Sequence, residues 1–194
     1  MSTAETFTDL VKKRARAEDI SAHLDALGPA ERVRECMALP GNLQPALFEL
    51  AKGSSKLDVH DFVGQPCLTA IYELKNNLPV FNISQKRFYR PEEGEVVGYN
   101  HTTGLAATFA GPGYFFAVNG DDGELVFDYT RLPTLQPEGW PEIRPNTGLI
   151  PGLTYGEMLD YVRQVSAHTV IGAAYRKGKP RNAYFLLTRA AAQS

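Results

Sequence analysis

The sequence predicts an α+β fold in which short N-terminal helices pack on a curved antiparallel sheet or small β-barrel. Three observations carry this. Apolar residues recur at helical spacing over the first fifty positions. From about Gly53 the composition shifts toward aromatics, β-branched residues, Gly and Pro. Beyond Gln85, runs of strand length alternate with turn chemistry. The division is 1–53, a helical segment, and 54–194, a barrel-like sheet, within one globular unit.

The helices are read from their caps and stripes. Ser2 and Glu5 fit a capping box ahead of Phe7, Leu10 and Val11, which share one helical face. Ile20, Leu24 and Leu27 form a second stripe that stops at Gly28, and Pro29 opens a helix carrying Val33, Cys36 and Met37. "LPGN" breaks that helix. Asn42 is placed as the cap of a last segment with Leu43, Ala46, Leu47 and Leu50 on one face and Gly53 past its end. Helices this short need burial against another element, and the sheet is the available partner.

Residues 54–80 read least clearly, with "CLTAIYEL" as a strand and "KNNLP" as a turn. The strands that follow are "QKRFYR", "EVVGYNHT", "GLAATFA", "GYFFAV" and "ELVFDYT", separated by "RPEEG", "AGPG" and "NGDDG". "NGDDG" marks the clearest hairpin, and in its second arm Leu125, Phe127 and Tyr129 share one face. Residues 132–152 are rich in Pro and Gly and are expected to form a long loop packed through Trp140, Ile143 and Leu149.

From Leu153 to Val165 the pattern fits both a capped helix, with Thr154 and Glu157 as the box, and one face of a strand. The strand is preferred, because "TVIGAAY" and "AYFLLTR" form a hairpin around "RKGKPRN" that a preceding strand would complete as a meander. A run of consecutive antiparallel strands favours closure, which removes exposed edges and can enclose a pocket.

The segments "LVFDYTRLP", "LDYVRQVSAHTVIGAAY" and "YFLLTR" resemble the C-terminal half of uncharacterised bacterial proteins of the GXWXG-type domain-of-unknown-function class. The matching positions are Asp128, Tyr129, Pro133, Asp160, Arg163, Val165, Thr169, Gly172 and Tyr184. The resemblance covers about the last third of the chain and implies a lipocalin-like β fold. The GXWXG element itself is absent, and the single tryptophan lies in "EGWPE".

Composition narrows the function classes. A formal net charge of −2 gives no positive field for nucleic acid or an anionic membrane surface, and the basic stretches "KKRAR" and "RKGKPR" read as solvated surface. Cys36 and Cys67 lack CxxC spacing and are expected to be reduced. No signal-peptide core or membrane-length apolar run is evident, so cytoplasmic residence is expected. No P-loop, GxGxxG, GxSxG or HExxH motif occurs, and His23, His60, His101 and His168 show no ligand spacing, so neither cofactor nor metal is expected.

The candidate site is "GYNHTTG". On a strand Tyr99 and His101 share a face, an imidazole titrates near neutral pH, and a phenol can donate a proton, so the pair suits proton transfer to a carbonyl or enol. Asp128 would orient the imidazole. The same residues also make a polar turn through local side-chain hydrogen bonds. Asn100, Tyr114, Phe116 and Trp140 are assigned to ligand binding, with Arg87 and Tyr89 as holders of a carboxylate or enolate. The cations on both faces of "QKRFYR" more often mark an edge strand. Two functions follow. The first is a soluble binding protein for an apolar or aromatic small molecule, which it isomerises or cyclises by acid–base chemistry. The second is a non-catalytic protein–protein interaction module with a filled barrel; on either reading a monomer or homodimer is expected.

Overall fold

A computed structural model describes residues 5–54, 56–79, 82–102, 111–146 and 155–190. Among the described residues five α-helices precede eight strands: α1 Phe7–Lys12, α2 Ala17–Ala26, α3 Pro29–Ala38, α4 Gln44–Leu50 and α5 Val59–Val63. The strands are β1 Thr69–Asn76, β2 Ile83–Tyr89, β3 Val96–His101, β4 Phe115–Asn119, β5 Leu125–Asp128, β6 Met158–Ser166, β7 Thr169–Arg176 and β8 Lys179–Arg189. Each strand pairs antiparallel with its neighbours in sequence, and β8 returns to β1 to close an up-and-down barrel.

Period-two alternation divides the strands between two cores. Inward residues include Ala70, Tyr72, Phe88, Phe115, Leu125, Phe127, Val162 and Phe185, joined by Val59, Phe62 and Val63 of α5. Strand β7 is buried on both faces from Thr169 to Ala174, which is why it reads as a nearly continuous apolar run. Its outward Ile171 and Ala173, with Val165 and Leu186, meet Phe7, Leu10, Ile20, Leu24, Cys36, Leu47 and Phe48 of the helical layer. Arg163 clamps that layer: its guanidinium lies 3.7 Å from the Phe48 ring centroid, donates to the Phe48 carbonyl at 2.8 Å and pairs with Glu124.

Helix α5 closes one end of the barrel. Val59 N–H donates to Asn119 Oδ1 at 2.8 Å at the end of β4, and Arg189, at the end of β8, donates to the carbonyls of Phe62 and Val63. Five residues between Asp58 and Gly64 are too few to carry a helical stripe, so the sequence pattern does not reveal it.

Several boundaries differ from expectation. The first capping box is Thr6 with Asp9, because both reciprocal hydrogen bonds form there; Ser2 lies outside the described residues. Asn42 lies in a short 3₁₀ turn, and the helix begins at Gln44 with Pro45 in its first turn, so Asn42 is not the cap. In α3 the buried positions are Arg32 and Cys36. Residues 158–166 form a strand, and the last hairpin turns at Lys177 and Gly178, both with positive φ, sooner than "RKGKPRN" implies. Strand β2 bonds to β1 and β3, so it is not an edge strand; the closed sheet leaves no edge for its cations to protect. "GLAATFA" and Leu149 lie outside the described residues.

Close packing inside the barrel depends on two glycines. A Cβ on Gly172 would fall 2.2 Å from the Phe185 ring, and one on Gly98 would fall 2.4 Å from the Phe115 ring. Gly172→Ala is therefore expected to destabilise the fold by about 1–3 kcal/mol through overpacking, read as a lowered urea midpoint. An unchanged midpoint would show that the Phe185 ring swings aside without loss.

Candidate functional site

Four polar residues cluster at one end of the interior, from four strands or their margins. On β2 Lys86 shares the inward face with Phe88, and on β3 Asn100 sits opposite it in register. Tyr129 continues the inward series of Leu125 and Phe127 just past β5, and Asp160 near the start of β6 pairs with Phe127. All four lie toward the barrel mouth opposite α5, because β2 and β6 begin there while β3 and β5 end there.

Hydrogen bonds link Lys86, Asn100 and Tyr129, and Asp160 joins them as the ion-pair partner of Lys86. The Lys86 ammonium donates to Asn100 Oδ1 at 2.6 Å and to the Tyr129 hydroxyl. Asn100 Nδ2 donates to the Gly113 carbonyl at 3.1 Å and to Tyr129 at 3.3 Å. Asp160 Oδ2 lies 3.8 Å from Lys86 Nζ, and Asp160 Oδ1 has no hydrogen-bond partner among the described residues. Four rings surround the ammonium, those of Phe115, Phe127, Tyr129 and Phe185, with centroids 4.8–5.5 Å away. Tyr155 stacks on Tyr129 at 5.2 Å, and Asn146 Nδ2 donates to the carbonyls of Tyr114 and Tyr129 at 2.9 Å, tying the segment after β5 over this end.

Burial dominates the electrostatics. It lowers the Lys86 ammonium to about 8, a fall opposed by the Asp160 charge. It raises Asp160 to about 6, a rise opposed by the Lys86 charge. The Tyr129 phenol is pushed well above its ordinary value by burial and by the Asp160 charge, and Tyr155 rises to about 12 for the same two reasons. The result is an acid and a base held close together, with their titrations drawn toward neutral pH.

The sequence-predicted residues lie elsewhere, apart from Asn100. Tyr99 and His101 do share a face, with the Tyr99 hydroxyl 3.2 Å from His101 Nδ1, but it is the outer face of the barrel. Burial raises Tyr99 and lowers His101, and the Arg87 charge lowers both. Tyr99 packs 4.6 Å from Trp140 and 5.7 Å from Tyr114, in an outer cluster that also takes in Tyr89 and Phe116. Asp128 points outward and bonds Thr130 and Arg131, so it does not orient the imidazole. Arg87 bonds Gln85 on the same outer face. Parity within β3 decides this arrangement: if Gly98 and Asn100 face in, Tyr99 and His101 face out.

Lys86, Tyr129, Tyr155 and Asp160 are residues of this end of the interior that the sequence does not mark as a site. Their signal is parity with apolar neighbours: Lys86 shares a face with Phe88, and Asp160 shares one with Val162. Among the described residues no group of three or more His, Cys, Asp or Glu side chains is placed to hold a metal ion, and Cys36 and Cys67 are free thiols. No described helix is long and apolar enough to cross a membrane. No family model, curated protein or solved structure matches the chain.

The shifts fix a pH dependence. The folded state holds the Asp160 proton more tightly than the unfolded chain, so its stabilising contribution is complete below 3.8 and is lost as pH rises through about 6. For Lys86 the contribution is complete above 10.5 and is lost as pH falls through about 8. Relative to wild type, Asp160→Asn is expected to gain stability steadily in urea melts as pH rises across the Asp160 window. A difference that stays constant across that window would contradict the assignment.

Proposed function

We propose that the mouth opposite α5 binds a mostly apolar or aromatic small molecule through a carbonyl or enol oxygen, and that Lys86 and Asp160 move a proton on it. The observation that carries this reading is the unpartnered Asp160 Oδ1 beside a buried ammonium. A buried ion pair kept for packing alone would be expected to satisfy its hydrogen bonds, since an unsatisfied buried polar atom costs stability. A ligand oxygen beside the pair would accept from Lys86, with Tyr129 and Asn100 holding the ammonium in place. Asp160, drawn up to about 6, is suited to take a proton from carbon and return it. The aromatic walls, with Tyr155 stacked on Tyr129 at this end, set the apolar preference.

A second reading, a filled barrel that serves as a non-catalytic protein–protein interaction module, is favoured by a different observation. Phe62, Phe88, Phe115 and Phe127 pack ring against ring, with several centroid separations near 5 Å, and occupy the interior between α5 and Lys86.

Deuterium incorporation from D₂O into a panel of aryl ketones, followed by NMR, separates the two. Wild type is expected to accelerate exchange at the carbon next to the carbonyl, and Lys86→Met and Asp160→Asn should each lose about a hundredfold of that rate, the usual scale of acid–base catalysis. Exchange at the buffer rate throughout, or exchange unaffected by both variants, would overturn the acid–base reading.

A further inference from the structure

The opposite, plugged end of the barrel carries a second feature that the proton-transfer reading does not use. An open groove of about 320 Å³ is lined by Val63, Gly64, Leu68, Thr69, Ala70 and Arg189. That volume falls within the range of small-molecule sites. Its apolar wall is set by Leu68, which is 58% exposed at the approach to β1.

One guanidinium group, that of Arg189, lines the groove, and a second, that of Arg90, is bonded to the lining residue Gly64. Arg189 donates to the carbonyls of Phe62 and Val63 at 3.4 and 3.1 Å, and Arg90 donates to the Gly64 carbonyl at 3.0 Å. Both are therefore anchored on the C-terminal end of α5. Neither has a carboxylate within 4.0 Å among the described residues, and each keeps N–H donors beyond those its carbonyl bonds use. Arg32 adds to the local field: it is 5% exposed and its Nε has no hydrogen-bond partner among the described residues. Burial is the main cause that lowers His168, with the Arg32 and Arg189 charges adding to it, and burial raises Tyr72 against the pull of the same two charges. Asp25, the carboxylate that opposes them at His168, is taken up by the Ala167 N–H and the Ser21 hydroxyl.

We propose that this groove binds a small carboxylate with an unbranched apolar tail, the headgroup on Arg189 and Arg90 and the tail along Leu68 and Val63. Charge complementarity selects the class. Guanidinium groups fixed in orientation by backbone carbonyls present donors that match the two oxygens of a carboxylate, and the adjoining wall is apolar.

Equilibrium dialysis of labelled octanoate against the full chain tests this, with octanol and acetate as competitors. Trp140 reports location, because its indole N–H bonds Thr69 Oγ1 at 3.3 Å and Thr69 lines the groove. Saturable octanoate binding with a change in Trp140 fluorescence is expected, with octanol and acetate at least about tenfold weaker. Leu68→Asp alters an exposed side chain and should weaken binding by at least about tenfold, as should Arg90→Gln. No saturable binding, equal affinity for octanol, or undiminished binding in Leu68→Asp overturns the proposal. Loss in Lys86→Met with retention in Leu68→Asp would place the carboxylate at the other mouth and overturn it equally.

Discussion

Closure of eight strands into one barrel is the constraint on which the rest of this structure depends. A bore of that size is just wide enough for side chains, so each inward position must be filled by a group that fits its neighbours across the axis. The chain fills it with rings, and it opens room for them with glycine at positions 98 and 172. Closure also removes every exposed strand edge, which frees β2 to carry Lys86 and Arg87 for purposes other than deterring association. What remains is the outer surface. On β6–β8 the helical layer covers it, and on β2–β4 it is covered by the Trp140 segment, so much of the sheet is buried on both faces.

Against that packing, Lys86 is the exception that needs explaining. Removing an ammonium from water is costly, and the surroundings offset the cost in three ways. Asn100 and Tyr129 accept its hydrogen bonds, the Asp160 carboxylate lies nearby, and four ring faces turn their negative quadrupole toward it. The offset is incomplete, because both Lys86 and Asp160 are displaced in the direction that disfavours charge. A pair drawn toward neutrality can exchange a proton at small cost, and that property links the packing of the barrel to a chemical use.

How much of this was legible depended on how many faces of each strand carried information. The α1–α4 region was readable because its stripes were bounded by Gly28, Pro29 and Gly53, and β5 because Leu125, Phe127 and Tyr129 alternate with polar neighbours. The strand reading of 158–166 followed from the hairpin after it, although its own pattern fitted a helix equally well. Strand β3 was different. Gly98 and Asn100 lie on one face and Tyr99 and His101 on the other, and nothing within "VVGYNH" says which face meets the interior. The Trp140 segment supplies an apolar cover outside, so the usual signal of an inward aromatic is reversed there. Lys86 is hidden for a related reason, since a cation between polar neighbours reads as surface until the barrel is closed around it. Tyr129 and Asp160 belong to the interior network, while Asp128 lies on the outer face, bonded to Thr130 and Arg131.

The account rests on Lys86 being an interior ammonium coupled to Asp160, and the most direct measurement is the titration of its ε-methylene by ¹³C NMR in lysine-labelled protein, assigned by comparison with Lys86→Arg. The account predicts a midpoint near 8, well below the ordinary 10.5, and a second, smaller chemical-shift step near 6 as Asp160 titrates beside it. A single midpoint at the ordinary value would place the ammonium in water and contradict both the closed network and the proton-transfer role assigned to it.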